Sequence, residues 1–409
     1  MNTHRWLLAL GLSLALLAPT AALSADFIFE GVVSDQYSKQ ARFRLEGAID
    51  IEDGRRVAEA LREASVSSEE DRWQKIVFAL NSDGGSFHAG LDLASSFRRL
   101  GISTVVRSGD HCLSACAIAF LGGSERLKDP TPLSDSDHLP NQPPSRSLEK
   151  GAKLGFHAPY LMIPDGDYNS TTVQDAYSLA VSGIAELVAL ADHLYIVPAE
   201  LPRLLAPGRD EMLMVNDVDA LGYLGIDYVD HSYKLPNDDS FTQSMITNAC
   251  VNRYYHLQRR SSLQGYTVAS EVLDEFVEGS KLMENGEEAI AFGARRINQG
   301  TAKTWLAFLP IAKTQDGNRF IWCLFTPGIG SPSTFFKPAG TIEELFAEIE
   351  GEGDLFTYST SDTTVRLTTA EWIADMMTPR DLVPPKTKLH EVARKLESYS
   401  GSEEAIDPR

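Results

Sequence analysis

The 409-residue sequence predicts an α/β protein with a largely parallel sheet, followed by a smaller α+β domain. Three observations carry that reading. Short apolar runs alternate with helical periodicity between about residues 40 and 230, the pattern of βαβ units. The pattern changes beyond about residue 245, where two longer apolar runs flank an Asp-Gly. The composition, 43% hydrophobic and 23% charged, excludes collagenous, coiled-coil and wholly disordered classes.

Residues 1–24 read as a secretory signal peptide. The apolar run from Trp6 to Leu17 is shorter than the roughly 20 residues that span a bilayer. Ala22 and Ser24 are small at the positions a signal peptidase inspects, so cleavage is expected after Ser24. The mature chain is then periplasmic or secreted, with no stable membrane insertion; an uncleaved membrane anchor is the alternative. The formal charge of −20 argues against nucleic acid and against anionic lipid as partners.

Residues 25–235 form the first predicted domain. Extended chain over 27–51 leads to a helix opened by Asp53, with Val57, Ala58, Leu61 and Ala64 on one face. Trp73–Leu80 is a compact apolar strand that runs into LNSDGGS. A helix with Leu93, Ala94, Phe97 and Leu100 at helical spacing follows, then the strand GISTVV. The Arg98-Arg99 pair reads as a solvated helix face. Residues 128–150, with five prolines, read as an inserted loop. A long helix is expected from about Thr172 to Leu194.

Residues 236–244 read as a linker and 245–380 as the α+β domain. Asp316-Gly317 between apolar runs signals a hairpin. Thr341 with Glu344, and Thr368 with Glu371, are capping-box signatures. Residues 381–409 read as a loose charged tail.

Three segments concentrate chemistry: LNSDGGS (80–86), GDHCLSACA (109–117) and LGFHAPY (154–160). Each adjoins an apolar strand, so all three are expected at the carboxyl end of one sheet, where ligands bind. Ser114 stands at a strand-to-helix turn, and His157 could take its proton. Gly84 and Gly85 let backbone approach a substrate closely. The N–H groups of Gly85 and Ala115 would then form a two-donor oxyanion hole, with Gly84 and Ser86 as substrate-facing neighbours. Taken alone, Ser114 is a capping serine and His157 an ordinary histidine. Asp83 reads as a turn residue, and His88 and His111 as pocket-lining or exposed.

Together these segments resemble the Clp protease proteolytic subunit (ClpP) and the ClpP/crotonase superfamily. They look most like the exported ClpP-like serine protease proteins of bacteria. The ordered run is LNSDGGS, GLDLASSFRRLGISTVV, CLSACAIAFLGG and LGFH. It covers roughly residues 40–230. The resemblance implies a ββα-unit fold, with Ser114 as nucleophile, His157 as general base, and Gly85 and Ala115 as oxyanion donors. Its third catalytic member maps to Asp210, with Asp217 the alternative and a Ser–His dyad also open. The chain departs from the subunit at Asp83, at the cysteines around Ser114, in the 128–150 insertion and in the added C-terminal domain. The barrel assembly and partner ATPase are therefore not carried over, and a homo-oligomer stays open. The G-x-S-x-G elbow of α/β-hydrolases is absent.

The expected function is hydrolysis of peptide bonds in a peptide or protein substrate, with no metal or organic cofactor. The rivals are a catalytically silent binding protein on the same fold and a crotonase-like acyl-transfer enzyme.

Four cysteines in an exported chain favour disulfides. Neighbourhood suggests Cys112–Cys116 and Cys250–Cys323. No zinc-type spacing accompanies them. If residues 113–117 are helical, Cys112 and Cys116 share a face within reach of a bond. Two buried thiols are the competing reading. A bond there would brace the Ser114 turn and could serve as a redox switch.

Overall fold

The computed structural model describes residues 24–34, 39–67, 73, 75–125, 143–160, 166–197, 200–231, 241–258, 260–268, 295–299, 302–315, 317–326, 333–341 and 378–401. Residues 1–23 of the expected signal peptide, most of the inserted loop, most of the expected linker and both capping-box glutamates lie outside these residues.

The architecture is mixed α/β with a largely parallel sheet. β1 (Asp26–Ser34) and β2 (Lys39–Glu46) pair antiparallel. β3 (Lys75–Asn81), β4 (Ile102–Val106), β6 (Arg146–Glu149) and β9 (Asp227–Val229) then continue the sheet in parallel. A second sheet holds β5 (His111–Leu113), β7 (Lys153–Phe156) and β8 (Leu213–Met214). β5 and β7 run parallel, and β8 is antiparallel to β7.

α1 (Asp53–Ser67) and α2 (Phe87–Leu100) stand where helical periodicity is expected. Ser86 caps α2 by accepting from the Ala89 N–H, which satisfies one of the free donors at the helix start. Phe43 stacks on Phe78 at 4.9 Å, and Phe78 meets Phe97 at 5.3 Å, pinning α2 to the sheet. Asp53, fully buried, accepts from Ser24 Oγ (2.9 Å) and pairs with Arg56 (2.9 Å).

Two expectations need correction. The inserted loop ends earlier than residue 150. Arg146–Glu149 form a central strand in which Arg146 and Leu148 are buried. Arg98 is not solvated: it is fully buried on α2, with its guanidinium 4.8 Å from the Tyr195 ring, while Arg99 is exposed. Arg146 donates to the Leu194 carbonyl (2.7 Å). Both buried cations thus hold the turn that follows α4 (Ser170–Leu190). Pairing a cation with ring and carbonyl partners is what makes its burial tolerable, and sequence periodicity cannot see those partners.

α4 turns an apolar stripe outward. Val173, Tyr177, Val181, Ile184 and Val188 are between 39% and 71% exposed, at spacings that share one helix face. By length and composition it is the one helix among the described residues suited to cross a membrane, and it is 11% buried over its apolar window.

Beyond α5 (Leu201–Leu205) and α6 (Val218–Tyr223), α7 (Gln243–Leu257) leads to a four-stranded antiparallel sheet. Its strands are β10 (Arg295–Gln299), β11 (Ala302–Thr314), β12 (Gly317–Thr326) and β13 (Ser333–Thr341). Cys250 of α7 is bonded to Cys323 of β12, and both are buried. Closing a loop of this length restricts the unfolded chain, worth about 4 kcal/mol in the chain-entropy model. A Cys250→Ser/Cys323→Ser variant is expected to lose stability on that scale in urea denaturation, and an unchanged midpoint would count against it.

The chain after residue 380 is not a loose tail through residue 401. Leu382, Val383, Val392 and Leu396 are buried. Asn252 of α7 donates to the carbonyls of Asp381 (2.9 Å) and Val383 (2.8 Å). Val218 N–H and Asp219 N–H, free donors at the start of α6, reach the carbonyls of Thr387 and Pro385. α8 (Val392–Gly401) closes the segment. Charge and proline suggested a tail, but the prolines leave carbonyls free to cap α6.

This junction encloses a titrating group. Asp219 accepts from Ser261 Oγ (2.5 Å), Ser262 N–H (2.6 Å) and Ser262 Oγ (2.7 Å), and His256 Nε2 lies 3.5 Å away. Burial pushes His256 below the ordinary value of 6.5, opposed by Asp219 and reinforced by Arg380. The unfolded chain therefore takes up a proton near pH 6.5 that the folded chain refuses. Stability from this group is complete above that pH and falls as the pH drops below it, by at most about 1.4 kcal/mol per pH unit. Denaturation midpoints from pH 7.5 to 5.5 should decline, and His256→Gln should flatten the decline. An equal slope in the variant would remove His256 as the cause.

Candidate active site

β3 runs past its sheet into LNSDGGS and meets the second sheet there. Ser82 N–H donates to His111 O (2.8 Å) and Leu113 N–H donates to Ser82 O (3.0 Å). The three chemical segments therefore converge where two sheets join, not at one end of a single sheet as expected. The parallel register sets Leu113 opposite Gly155, and Ser114 N–H donates to Gly155 O (2.9 Å). His157 follows two residues later, just past the end of β7.

Ser114 has φ 57° and ψ −123°, outside the regions a side chain prefers. The residue after it opens α3 (Ala115–Phe120), and the Ser114 side chain caps nothing. Among the described residues its hydroxyl has no hydrogen-bond partner, and it stands at a sharp strand-to-helix turn. Such a backbone persists only where its surroundings enforce it, and it clusters at functional sites. Cys112 and Cys116 are bonded across this turn, with Cα atoms 5.1 Å apart. Both sulfurs are enclosed, so a reductant reaches them only after local opening, which opposes ready redox switching.

The Gly-Gly turn fits against this feature. Gly84 has φ 108°, and a Cβ there would lie 2.7 Å from Ser114 Cβ and 3.1 Å from Ala115 N. Gly85 has φ 152°, and a Cβ there would overlap the Ile49 carbonyl. Ile49 N–H donates to Gly84 O (2.9 Å) and Ser86 N–H to Ile49 O (2.9 Å), which fixes the turn. Among the described residues, neither Gly85 N–H nor Ala115 N–H donates to another backbone group. Ser86 is committed to capping α2.

His157 is half-buried, and its Nδ1 lies 2.6 Å from Ala158 O. No hydrogen bond joins it to Ser114 among the described residues, and such contacts often tighten only with substrate. Asp210 is exposed and has no bond to His157 among the described residues. Asp217 is engaged elsewhere: it caps α6 through Ala220 N–H (3.0 Å) and pairs with Lys388 (3.2 Å).

A cavity of about 290 Å³ adjoins β8, lined by Met212, Met214, Val215, Ala220, Tyr223 and Arg203 among others. Continuing the β7–β8 register sets Met212 across from His157. Sequence reading placed Asp83 and His111 near the site but missed their pairing, and it missed the roles of Tyr160 and Arg209. Asp83 pairs with His111 at 2.9 Å, beside Ser82. Tyr160 lies 5.2 Å, ring to ring, from His157, and Arg209 sits 5.4 Å from the Tyr160 ring. The sequence HAPY held the first hint, but nothing in it points to Arg209, some fifty residues away.

No protein-family model matches the chain, and no curated protein does. Among solved structures, a mutant of the 1510-N membrane-bound stomatin-specific protease is similar. It is 15% identical with a TM-score of 0.30, over 46% of this chain and 77% of that one.

Proposed function

We propose that the protein is an exported serine peptidase of ClpP-like fold. The observation that supports this best is Ser114 at positive φ against the Gly84-Gly85 turn, with the N–H groups of Gly85 and Ala115 giving no backbone hydrogen bond among the described residues. Ser114 Oγ attacks a peptide carbonyl and its proton passes to His157 Nε2. The carbonyl oxygen, now negative, accepts from Gly85 N–H and Ala115 N–H. His157 returns the proton to the leaving amine; water, deprotonated by His157, then attacks the acyl carbon, and as the acyl–oxygen bond breaks His157 passes that proton to Ser114 Oγ. No step requires a metal or organic cofactor.

The cavity beside Met212 receives a substrate side chain. The two disulfides suit an oxidising, extracellular compartment, which agrees with removal of residues 1–24 on export. A homo-oligomer has the α4 stripe available as its contact, since exposed apolar patches on soluble proteins mark association surfaces.

The test is a fluorophosphonate probe on the purified mature protein, with the adduct mapped by mass spectrometry. A phosphonylated Ser114 is the expected result. Folded protein carrying no adduct overturns the reading in favour of the silent binding protein or the acyl-transfer enzyme.

A further inference from the structure

We infer that His157 is positioned by the Tyr160–Arg209 pair and the Ala158 carbonyl, with no carboxylate among the described residues in the third place; this rests on the peptidase reading of Ser114.

The argument begins at the ring nitrogens. A carbonyl oxygen only accepts, so the 2.6 Å contact with Ala158 O requires the proton to sit on His157 Nδ1. Neutral His157 then presents Nε2 as a bare acceptor, the form a general base needs. This is the tautomer that an aspartate fixes in the familiar triad. Both carboxylates that the sequence offered lack that role here. Asp217 is held by Ala220 N–H and Lys388, and Asp210 is exposed to solvent.

The orientation of the ring has its own support. Tyr160 meets His157 at 5.2 Å between centroids, within the range of attractive ring pairs. Arg209 lies 5.4 Å from the Tyr160 ring, close enough for a cation–π contact that limits movement of that ring. The loop carrying Arg209 also holds Ala158, whose N–H donates to Pro207 O (2.9 Å). Residues 207–209 therefore contact both the residue whose carbonyl sets the tautomer and the ring that faces His157.

The experiment uses the mature protein and its Tyr160→Phe, Tyr160→Ala and Asp210→Asn variants. Two readouts are taken: the fluorophosphonate labelling rate, and a long-range 1H–15N imidazole spectrum that assigns the His157 tautomer. The wild type and Asp210→Asn should both show Nδ1–H and label at similar rates. Tyr160→Ala should label about 10- to 100-fold more slowly, the scale of a misplaced catalytic group. Tyr160→Phe should restore the rate, because the ring and not the hydroxyl is used. A rate loss near 10⁴-fold in Asp210→Asn, the scale seen when a triad aspartate is neutralised, overturns the inference. So does an Nε2–H tautomer in the wild type, or full activity in Tyr160→Ala. A wild type that shows Nδ1–H but never labels Ser114 sinks the peptidase reading and leaves the positioning of His157 standing.

Discussion

Ser114→Ala is expected to abolish probe labelling and to reduce peptide hydrolysis to the background rate. Losing a serine nucleophile costs about 10⁶-fold in kcat in well-studied serine proteases, because no other group can form the acyl-enzyme. The substitution should leave the fold intact, since the Ser114 side chain caps no helix. A companion variant separates chemistry from architecture. Ser114 holds φ 57° and ψ −123°, a backbone that costs a side-chain-bearing residue roughly 1–3 kcal/mol and glycine much less. Ser114→Gly should therefore be as inactive as Ser114→Ala yet more stable than the wild type, by about 1 kcal/mol. Labelling, hydrolysis and thermal denaturation of the three proteins give the answer. Residual labelling of Ser114→Ala would place the nucleophile elsewhere. A less stable Ser114→Gly would mean that the turn carries no strain to release.

The sequence made parts of this arrangement legible because local rules act strongly there. Trp73–Leu80 reads as a compact apolar strand, and the strand stands at Lys75–Asn81. The Asp-Gly between the apolar runs of β11 and β12 reads as a hairpin, and those strands pair antiparallel. Four cysteines allowed three pairings, and proximity in the sequence pointed to the one formed.

What sequence did not reveal depends on contacts between distant residues. Arg98 looked solvated because charge is the only local cue, while its partner Tyr195 lies nearly a hundred positions away. Residues 381–401 looked loose because their role is to cap α6 and cover α7, elements far behind them in the chain. The same limit applied at the site. The LNSDGGS turn, the Ser114 turn and LGFH were each recognisable, but the join between two sheets that brings them together was not. Asp210 was offered on position in the chain alone, with no local feature to show whether it faces His157 or water.

Gly85→Ala should cost about 10²–10³-fold in kcat, the scale of losing one oxyanion donor, with KM changing far less. The reason is geometric. Gly85 holds φ 152°, and a Cβ built there overlaps the Ile49 carbonyl, which is backbone and cannot swing aside. Ile49 is itself tied to both sides of Gly85, through Gly84 O and Ser86 N–H. The turn must therefore rotate as a unit, and Gly85 N–H turns away from the place where the oxyanion forms. Gly84→Ala is the informative contrast. Its Cβ would press on Ser114 Cβ at 2.7 Å, so it should disturb the nucleophile and slow both labelling and hydrolysis. Both variants should bring a modest loss of stability from the backbone strain, on the order of 1–3 kcal/mol. Steady-state kinetics on a peptide substrate, with circular dichroism to confirm folding, make the comparison. A folded Gly85→Ala protein with kcat within about threefold of the wild type is far short of the loss an oxyanion donor entails. That result would take Gly85 out of the catalytic site and leave Ala115 N–H alone to stabilise the transition state.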